Sequence, residues 1–167
     1  MNIFLLDQNI QKCAKYHCDQ HVIKMILEYT QILCTVLHLN GKIPSYKPTH
    51  QTHPCVVWAG LSLDNWFWLK ELIYALNQEY KYRWNSFQNH AAFEVANKLE
   101  SPDLPNRGLL KHPQAMPEEY KVPENPVRAY RNFYIFNKSR FANWTKRKKP
   151  LWYVIGCKKS HKLKVKE

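Results

Sequence analysis

The chain has 167 residues, a net charge of +12 and five cysteines. Its length and its 14% content of aromatic residues favour one globular domain with a substantial core and exclude a disordered chain. An odd number of cysteines without CxxC pairs argues against a disulfide framework, so we expect a cytoplasmic protein in a reducing compartment. No apolar run approaches the roughly 20 residues of a membrane span, and the N-terminus lacks the pattern of a signal peptide.

The basic charge is concentrated near the C-terminus. Residues 145–167 contain nine Lys or Arg residues and one acidic residue. An excess of this size predicts a polyanionic partner, with nucleic acid as the first choice. A tail that merely raises solubility is the alternative.

The sequence from Cys13 to His38 has apolar residues at steps of three and four, which predicts a long amphipathic helix. We expect this central helix to run from about Gln8 to Leu39 and to end at Asn40-Gly41, where glycine suits a left-handed cap. A polar stripe follows one edge of its apolar face: Cys13, His17, His21, Lys24 and Glu28. Two imidazoles, an ammonium and a carboxylate beside an apolar face form a candidate site.

The first seven residues, MNIFLLD, are apolar and are expected to pack against the core as an extended segment or a short strand. Such packing tethers the terminal amine to buried structure. An α-amine ordinarily titrates near pH 8, so a fraction of such groups is neutral and nucleophilic near neutral pH.

The rest of the chain also favours helices. They are predicted over residues 55–84 with a kink at Gly60 or Ser62, over residues 88–99, and from Asn125-Pro126 onwards, with a Pro-rich loop between residues 100 and 126. Strand signals are few. We therefore predict an all-α fold: a single compact domain of three or four main helices with a threaded N-terminal segment. This domain spans residues 1–156, and residues 157–167 form a basic, mobile tail.

Three kinds of chemistry are compatible with the polar residues. The first is a zinc site, because Zn²⁺ accepts Cys and His ligands. Its candidate ligands are Cys13, His17 and His21 in the helix, and His50, His53 and Cys55 in and after the following loop. This reading gives a metal-dependent hydrolase or a nucleotide-modifying enzyme, but no HExxH or CxxC motif supports it, and we expect neither a metal nor a cofactor. The second, a thiol nucleophile at Cys18, is weaker because Cys18 lies on the apolar side of the helix.

The third is an amine nucleophile assisted by a carboxylate. A DNA glycosylase of the lyase type needs an amine that is neutral near pH 7, a carboxylate that stabilises the sugar cation, and cations on the phosphates. The chain offers the α-amine of Met1 or the side chain of Lys24 as nucleophile, and Glu28 as carboxylate.

Short motifs in chain order strengthen this third alternative. Asp19-Gln20-His21 is followed seven residues after the histidine by Glu28, then by Gly41-Lys42 and, near the end, by Pro150-Leu151-Trp152-Tyr153 and Gly156. In these features the chain resembles the small all-α pyrimidine-dimer DNA glycosylases of the endonuclease V family, which phages and large DNA viruses carry. The resemblance implies a nucleophilic terminal amine, a catalytic Glu28, a DNA-backbone contact by His21 and a terminal aromatic segment near DNA. If the protein is viral, the compartment is the host cytoplasm or nucleus.

Two features depart from the family pattern. The family exposes a threonine amine by removing the initiator methionine, but Asn2 is too large for ordinary removal, so the amine is expected to belong to Met1. Leu27 and Gln31 stand where the family places arginines around its glutamate. This second departure weakens recognition of pyrimidine dimers in particular.

The expected activity is therefore a DNA glycosylase and abasic-site lyase that acts on damaged or modified pyrimidines in double-stranded DNA as a monomer. The alternative is a nucleic-acid-binding protein without catalysis. The expected catalytic residues are Met1, His21, Lys24 and Glu28. The expected nucleic-acid contacts are Gln20, His50, His53, Arg128, Arg131, Lys146, Arg147, Lys148, Trp152 and Tyr153.

Overall fold

The computed structural model describes residues 1–164 and, beyond residue 159, the backbone alone. Within these residues the protein is a compact all-helical domain without strands, which confirms the predicted fold class. The α-helices are α1 (Ile10–Tyr16), α2 (Asp19–Leu39), α3 (Pro54–Leu61), α4 (Leu63–Trp84), α5 (Ala91–Asn97), α6 (Pro126–Phe133) and α7 (Leu151–Lys164). A 3₁₀ turn covers Glu118–Tyr120, and a π-helix covers Tyr134–Lys138.

The prediction of one continuous helix from Gln8 to Leu39 is wrong, because the chain breaks at His17–Cys18. The break is stabilised from outside the segment. Arg83 donates hydrogen bonds to the carbonyls of Lys15 (3.0 Å) and His17 (2.9 Å), and the indole of Trp144 donates to the carbonyl of Tyr16 (3.0 Å). Three carbonyls at the end of α1 thus find partners that a continuous helix would have supplied itself.

Helix α2 forms the centre of the domain and packs against α3, α4 and α5. By length and composition alone it is apolar enough to cross a membrane, but most of it is buried inside the fold. Its burial in the protein is what the core helix of a globular domain requires. Its solvent-facing edge carries Gln20, Lys24 and the partly exposed Glu28.

The second long helical region divides at Ser62, one of the two predicted kink sites. The hydroxyl of Ser62 accepts a hydrogen bond from the amide of Asp64 (3.3 Å) and so caps α4. The same hydroxyl donates to the carbonyl of Gly108 (2.9 Å), which fastens the Pro-rich loop to the kink.

The N-terminal segment is extended and threaded through the core, as predicted. Ile3, Phe4, Leu5 and Leu6 are all buried. The amide of Phe4, which has no neighbouring strand to pair with, donates to the hydroxyl of Tyr29 on α2 (3.1 Å). The segment therefore delivers Met1 to the edge of α2.

The last helix runs through the boundary that the sequence suggested at residue 156. α7 is continuous from Leu151 to Lys164, and Gly156 packs against Ile135 of the π-helix. The predicted basic tail therefore begins inside a helix. Residues 165–167, the last part of that tail, lie outside the described residues.

Candidate functional site

Glu28 faces the terminal amine at the edge of α2. Its Oε2 atom lies 3.8 Å from the α-amino nitrogen of Met1, and its Oε1 atom lies 3.2 Å from Nζ of Lys24. The glutamate side chain is 14% exposed, whereas Lys24 points into solvent. The structure thus brings together three of the four predicted catalytic residues: Met1, Lys24 and Glu28.

The position of Met1 is fixed by its neighbour Asn2. The side-chain amide of Asn2 donates to the carbonyl of Ala115 (2.7 Å), and its oxygen accepts from the hydroxyl of Tyr130 (2.8 Å). The side chain of Met1 itself is 3% exposed. The amine is therefore held in one place instead of moving with a frayed terminus.

The loop that follows α2 brings two histidines to the same region. The Nδ1 atom of His53 accepts a hydrogen bond from the amide of Cys55 (3.2 Å) and caps α3. Burial, together with the positive charges of the α-amine and of His50, lowers the pKa of His53, while Glu28 opposes that change. His53 is therefore within electrostatic reach of both Met1 and Glu28, and His50 is beside it at the surface.

Two further cations come from the end of the π-helix and the turn after it. The pKa of Lys138 is lowered by partial burial and by the positive charges of Arg140 and Lys24, and Glu28 raises it. Lys138 is therefore within electrostatic reach of Lys24, Arg140 and Glu28. Single-turn π segments are frequent at functional sites, because they re-aim the side chains that follow them.

We define the Glu28 site as the patch formed by Met1, Lys24, Glu28, His50, His53, Lys138 and Arg140. The carboxylate of Glu28 lies beside the α-amine of Met1 and the side chain of Lys24, and within electrostatic reach of His53 and Lys138. His50 acts on His53, and Arg140 acts on Lys138. A patch with several positive groups and one carboxylate attracts anions such as phosphates. Its carboxylate can transfer protons or stabilise a cation that forms during a reaction.

His21 does not belong to this surface. It is 5% exposed, its ring stacks on Phe4 at 4.3 Å between centroids, and its Nδ1 atom bonds the hydroxyl of Tyr134 at 2.5 Å. Burial lowers the pKa of His21 to about 2, so the imidazole is neutral. A direct contact with the DNA backbone is not open to a side chain in this position, and we assign it to the core.

Several C-terminal cations predicted to hold phosphates are engaged in contacts within the protein. Arg147 forms a two-pronged ion pair with Glu79 (3.0 and 2.7 Å). Arg131 donates to the carbonyl of Leu6 (2.8 Å) and to Asp7 (3.1 Å). Lys146 donates to the carbonyl of Tyr82 (3.1 Å) and to the side chain of Asn85. These contacts fasten the C-terminal segment to α4 and to the N-terminal segment.

The other predicted DNA contacts divide into exposed and packed groups. Gln20, Arg128 and Lys148 are exposed. Tyr153 is buried against Trp144, with ring centroids 4.7 Å apart, and Trp152 packs beside Arg131 at 5.2 Å. Tyr153 therefore belongs to the interior of the C-terminal region, and Trp152 is half-buried at its surface.

The possible zinc ligands serve other purposes. His17 bonds the carbonyl of Cys13 through Nδ1 (2.8 Å) and the hydroxyl of Tyr29 through Nε2 (3.1 Å). Burial lowers its pKa to about 4. Among residues 1–159, whose side chains the structure describes, no group of three His, Cys, Asp or Glu side chains is placed to hold a metal ion.

Sequence reasoning did not connect Lys138 and Arg140 with Glu28. Both were visible as basic residues on one side of the helical stretch after Pro126, but the π-helix that ends at Lys138 has no sequence signal of its own. No family model matches the chain, and neither known proteins nor solved structures give a significant match to it. The resemblance to pyrimidine-dimer glycosylases therefore stays a prediction from the sequence.

Proposed function

We propose that the protein is a DNA glycosylase and abasic-site lyase that uses the α-amine of Met1 as nucleophile and Glu28 as its carboxylate. The observation that carries this proposal is the 3.8 Å approach of the amine to Glu28 within a cationic patch. Nucleophile and helper lie within reach of one sugar, which is the arrangement that amine-based glycosylase chemistry needs.

The chemistry assigns a separate step to each group. The neutral amine forms a bond to C1′ of the deoxyribose as the bond from C1′ to the base breaks and its electron pair leaves with the base. Ring opening then gives an imine, and loss of a proton from C2′ expels the 3′ phosphate. The negative charge of Glu28 stabilises the cationic sugar, and its oxygen atoms can accept and return the protons.

In this proposal Lys24, Lys138 and Arg140 bind the phosphates on either side of the reacting nucleotide. Lys24 pairs with Glu28, Lys138 is within electrostatic reach of it, and Arg140 is within electrostatic reach of Lys138. Lys146 and Arg147, which we had expected to hold phosphates, are engaged with α4 instead. We therefore move the centre of the proposed DNA surface from the C-terminal segment to the edge of α2.

Trapping with borohydride tests the amine mechanism directly. The protein is mixed with duplex DNA that carries an abasic site or a pyrimidine dimer, and the reductant converts an imine into a stable covalent link. We expect a protein–DNA band with the native chain, and none after a short N-terminal extension blocks the α-amine. Intact mass before the experiment establishes whether Met1 is the first residue of the purified protein.

The variant Lys24→Gln is the matched control, because it removes the other amine beside Glu28. A band that survives Lys24→Gln but disappears with the extension supports the proposal. A band that survives the extension and disappears with Lys24→Gln assigns the nucleophile to Lys24 and contradicts the role of Met1.

A nucleic-acid-binding protein without catalysis is the second candidate, and the net charge of +12 favours it. It predicts binding that weakens steeply with salt, since each phosphate contact releases counterions. In that case no substrate gives a trapped band, and Glu28→Gln leaves the binding intact or strengthens it by removing a negative charge.

A further inference from the structure

The end of α4 is a surface on which aromatic rings stay in solvent. Three aromatic residues fall within six positions there, and all three are exposed: Tyr82 (47%), Trp84 (37%) and Phe87 (97%). A single exposed apolar side chain is common on protein surfaces, whereas several of them close together mark an interaction site. The cluster therefore indicates a second interaction surface, because none of its residues belongs to the Glu28 site.

The basic segment that precedes α7 is fastened to the same end of α4. The Nζ atom of Lys146 donates to the carbonyl of Tyr82 (3.1 Å) and to the side chain of Asn85. The guanidinium of Arg147 lies over the ring of Tyr82, 4.0 Å from its centroid. Phe87 is only two residues beyond Asn85, so their Cα atoms are at most about 8 Å apart. Cations and exposed rings therefore share one surface.

The charge of this surface is positive. Beneath it, the carboxylate of Glu79 is paired with both Arg83 and Arg147, so its negative charge is compensated. Lys148 and Lys149 are exposed, and neither forms an ion pair with any side chain that the structure describes. Their ammonium groups are therefore available to the phosphates of a polyanion, and each such contact releases counterions.

We propose that the surface formed by Tyr82, Trp84, Phe87, Lys148 and Lys149, which we call the α4-end surface, binds single-stranded nucleic acid. Exposed rings stack on unpaired bases of any sequence, and lysines contact the phosphates along the strand. In a duplex the bases are stacked on one another and leave no face for these rings, so the exposure of the rings favours a single strand. The proposal does not depend on the chemistry at the Glu28 site.

Fluorescence anisotropy of a labelled oligothymidylate of about 15 nucleotides tests the proposal with the full chain. Phe87→Ala is expected to weaken binding about fivefold or more, because one base loses its stacking partner. The fold should not change, since the side chain that is removed is almost fully exposed. Phe67→Ala is the matched control, because it removes another exposed ring, near the start of α4, and should leave the affinity unchanged. Both variants should bind the duplex of this strand with oligoadenylate as tightly as the native protein does.

The two lysines are tested by the salt dependence of the same binding. Lys148→Gln combined with Lys149→Gln is expected to reduce the slope of log K against log salt concentration by about 1.4, because each phosphate contact with a single strand contributes about 0.7. The matched control combines Lys42→Gln with Lys98→Gln. These exposed lysines lie with Leu37 at the C-terminal end of α2, where the loss of two charges should leave the slope unchanged. An unchanged slope in the first variant contradicts the proposed phosphate contacts.

Three further results overturn the proposal. An unchanged affinity in Phe87→Ala, or equal losses in Phe87→Ala and Phe67→Ala, excludes base stacking at the α4-end surface. An equal loss of duplex binding in Phe87→Ala excludes a preference for the single strand. Binding to vesicles of anionic phosphatidylserine that requires Phe87, without Phe87-dependent binding of the oligonucleotide, assigns the surface to a membrane instead.

Discussion

Glu28 on α2 and Glu79 on α4 are both carboxylates among cations, but their surroundings differ. Glu79 is 5% exposed and accepts hydrogen bonds from Arg83 (3.1 Å) and, through both its oxygen atoms, from Arg147 (3.0 and 2.7 Å). The cations nearest to Glu28 lie at 3.2 and 3.8 Å, which is longer than a typical charge-assisted hydrogen bond.

The difference separates a carboxylate that holds the fold together from one that is available for chemistry. The acceptor positions of Glu79 are occupied by two guanidinium groups. One of them belongs to Arg83, which is buried and also binds Asp19 and two carbonyls at the end of α1. Glu28 keeps acceptor capacity towards the surface. A matched pair of substitutions can therefore separate stability from activity.

Glu79→Gln is expected to produce the largest loss of stability. It leaves the buried guanidinium of Arg83 without one of its two carboxylate partners, and breaking a buried pair in this way costs about 3–5 kcal/mol. Urea denaturation monitored by circular dichroism measures the loss. Glu71→Gln, an exposed glutamate on the same helix, is the control and is expected to stay within about 0.5 kcal/mol of the native protein. A loss as small as that of the control would contradict the structural role of Glu79.

Glu28→Gln is expected to reduce activity strongly and to change stability little. Trapping on abasic DNA and strand cleavage should fall about 100-fold, because positioned acid–base groups contribute at least that much. The free energy of unfolding should change by less than about 1 kcal/mol, since the ion pairs of Glu28 are loose and partly exposed. Single-turnover assays and urea denaturation of the same preparation provide the two readouts. A protein that is destabilised but fully active per folded molecule would place Glu28 in the same class as Glu79.

The pH dependence of stability tests whether the buried imidazole of His21 is neutral in the folded protein. Burial lowers the pKa of His21 to about 2, whereas an unfolded histidine titrates near its ordinary 6.5. Below pH 6.5 the unfolded chain therefore takes up a proton that the folded chain does not, so this stability is complete above pH 6.5 and is lost as the pH falls. The loss is about 1.4 kcal/mol per pH unit for His21.

His21→Phe is expected to reduce the slope of unfolding free energy against pH by that amount between pH 6 and pH 4.5. His38→Gln, which replaces an exposed histidine near the end of α2, is the control for the replacement of a histidine as such. Equal slopes in the native protein and in His21→Phe would mean that His21 is protonated in the folded state.

Two glycine substitutions are expected to have the smallest effects on stability. They test whether the π-helix holds Lys138 in place at the Glu28 site. A Cβ atom on Gly156 would lie 2.2 Å from Cδ1 and 2.9 Å from Cγ1 of Ile135. Crowding of this kind costs about 1–3 kcal/mol, and the better helix propensity of alanine offsets about 1 kcal/mol of it. Gly156→Ala is therefore expected to lose about 1 kcal/mol in thermal denaturation. Because it displaces the π-helix that carries Lys138, it should also weaken DNA binding.

Gly60→Ala is the matched control for that experiment. Its Cβ atom would meet the two methyl groups of Val36 at 3.8 Å, an ordinary contact, so we expect a gain of up to about 1 kcal/mol and no change in DNA binding. Equal behaviour of the two variants would show that Gly156 is not a tight contact between α7 and the π-helix.

The parts of the fold that the sequence predicted correctly depend on local patterns. Apolar periodicity identified α2 and α4, and Ser62 was one of two residues expected to kink the second region. The break between α1 and α2 was missed because its hydrogen-bond donors, Arg83 and Trp144, lie more than 60 residues further along the chain. A local sequence pattern cannot indicate a hydrogen-bond donor that is so distant in sequence.

The same distinction applies to the candidate site. Glu28 and Lys24 are one helical turn apart, so their proximity followed from spacing, and the apolar start of the chain predicted a tethered Met1. The expected phosphate contacts Arg131, Lys146 and Arg147 were chosen from charge alone. Charge gives no information about which cations already have partners, and these three bind Asp7, Asn85 and Glu79.

By itself, the sequence determined an all-helical domain, its central helix, a threaded N-terminal segment and the pairing of Lys24 with Glu28. Each of these depends on residues that are close in sequence, where helical periodicity fixes the geometry. The tertiary structure alone decided the helix break at His17–Cys18, the burial of His21 and the pairing of Glu79 with Arg83 and Arg147. Each of these depends on which distant side chains arrive at a given point, and packing of the whole chain sets that.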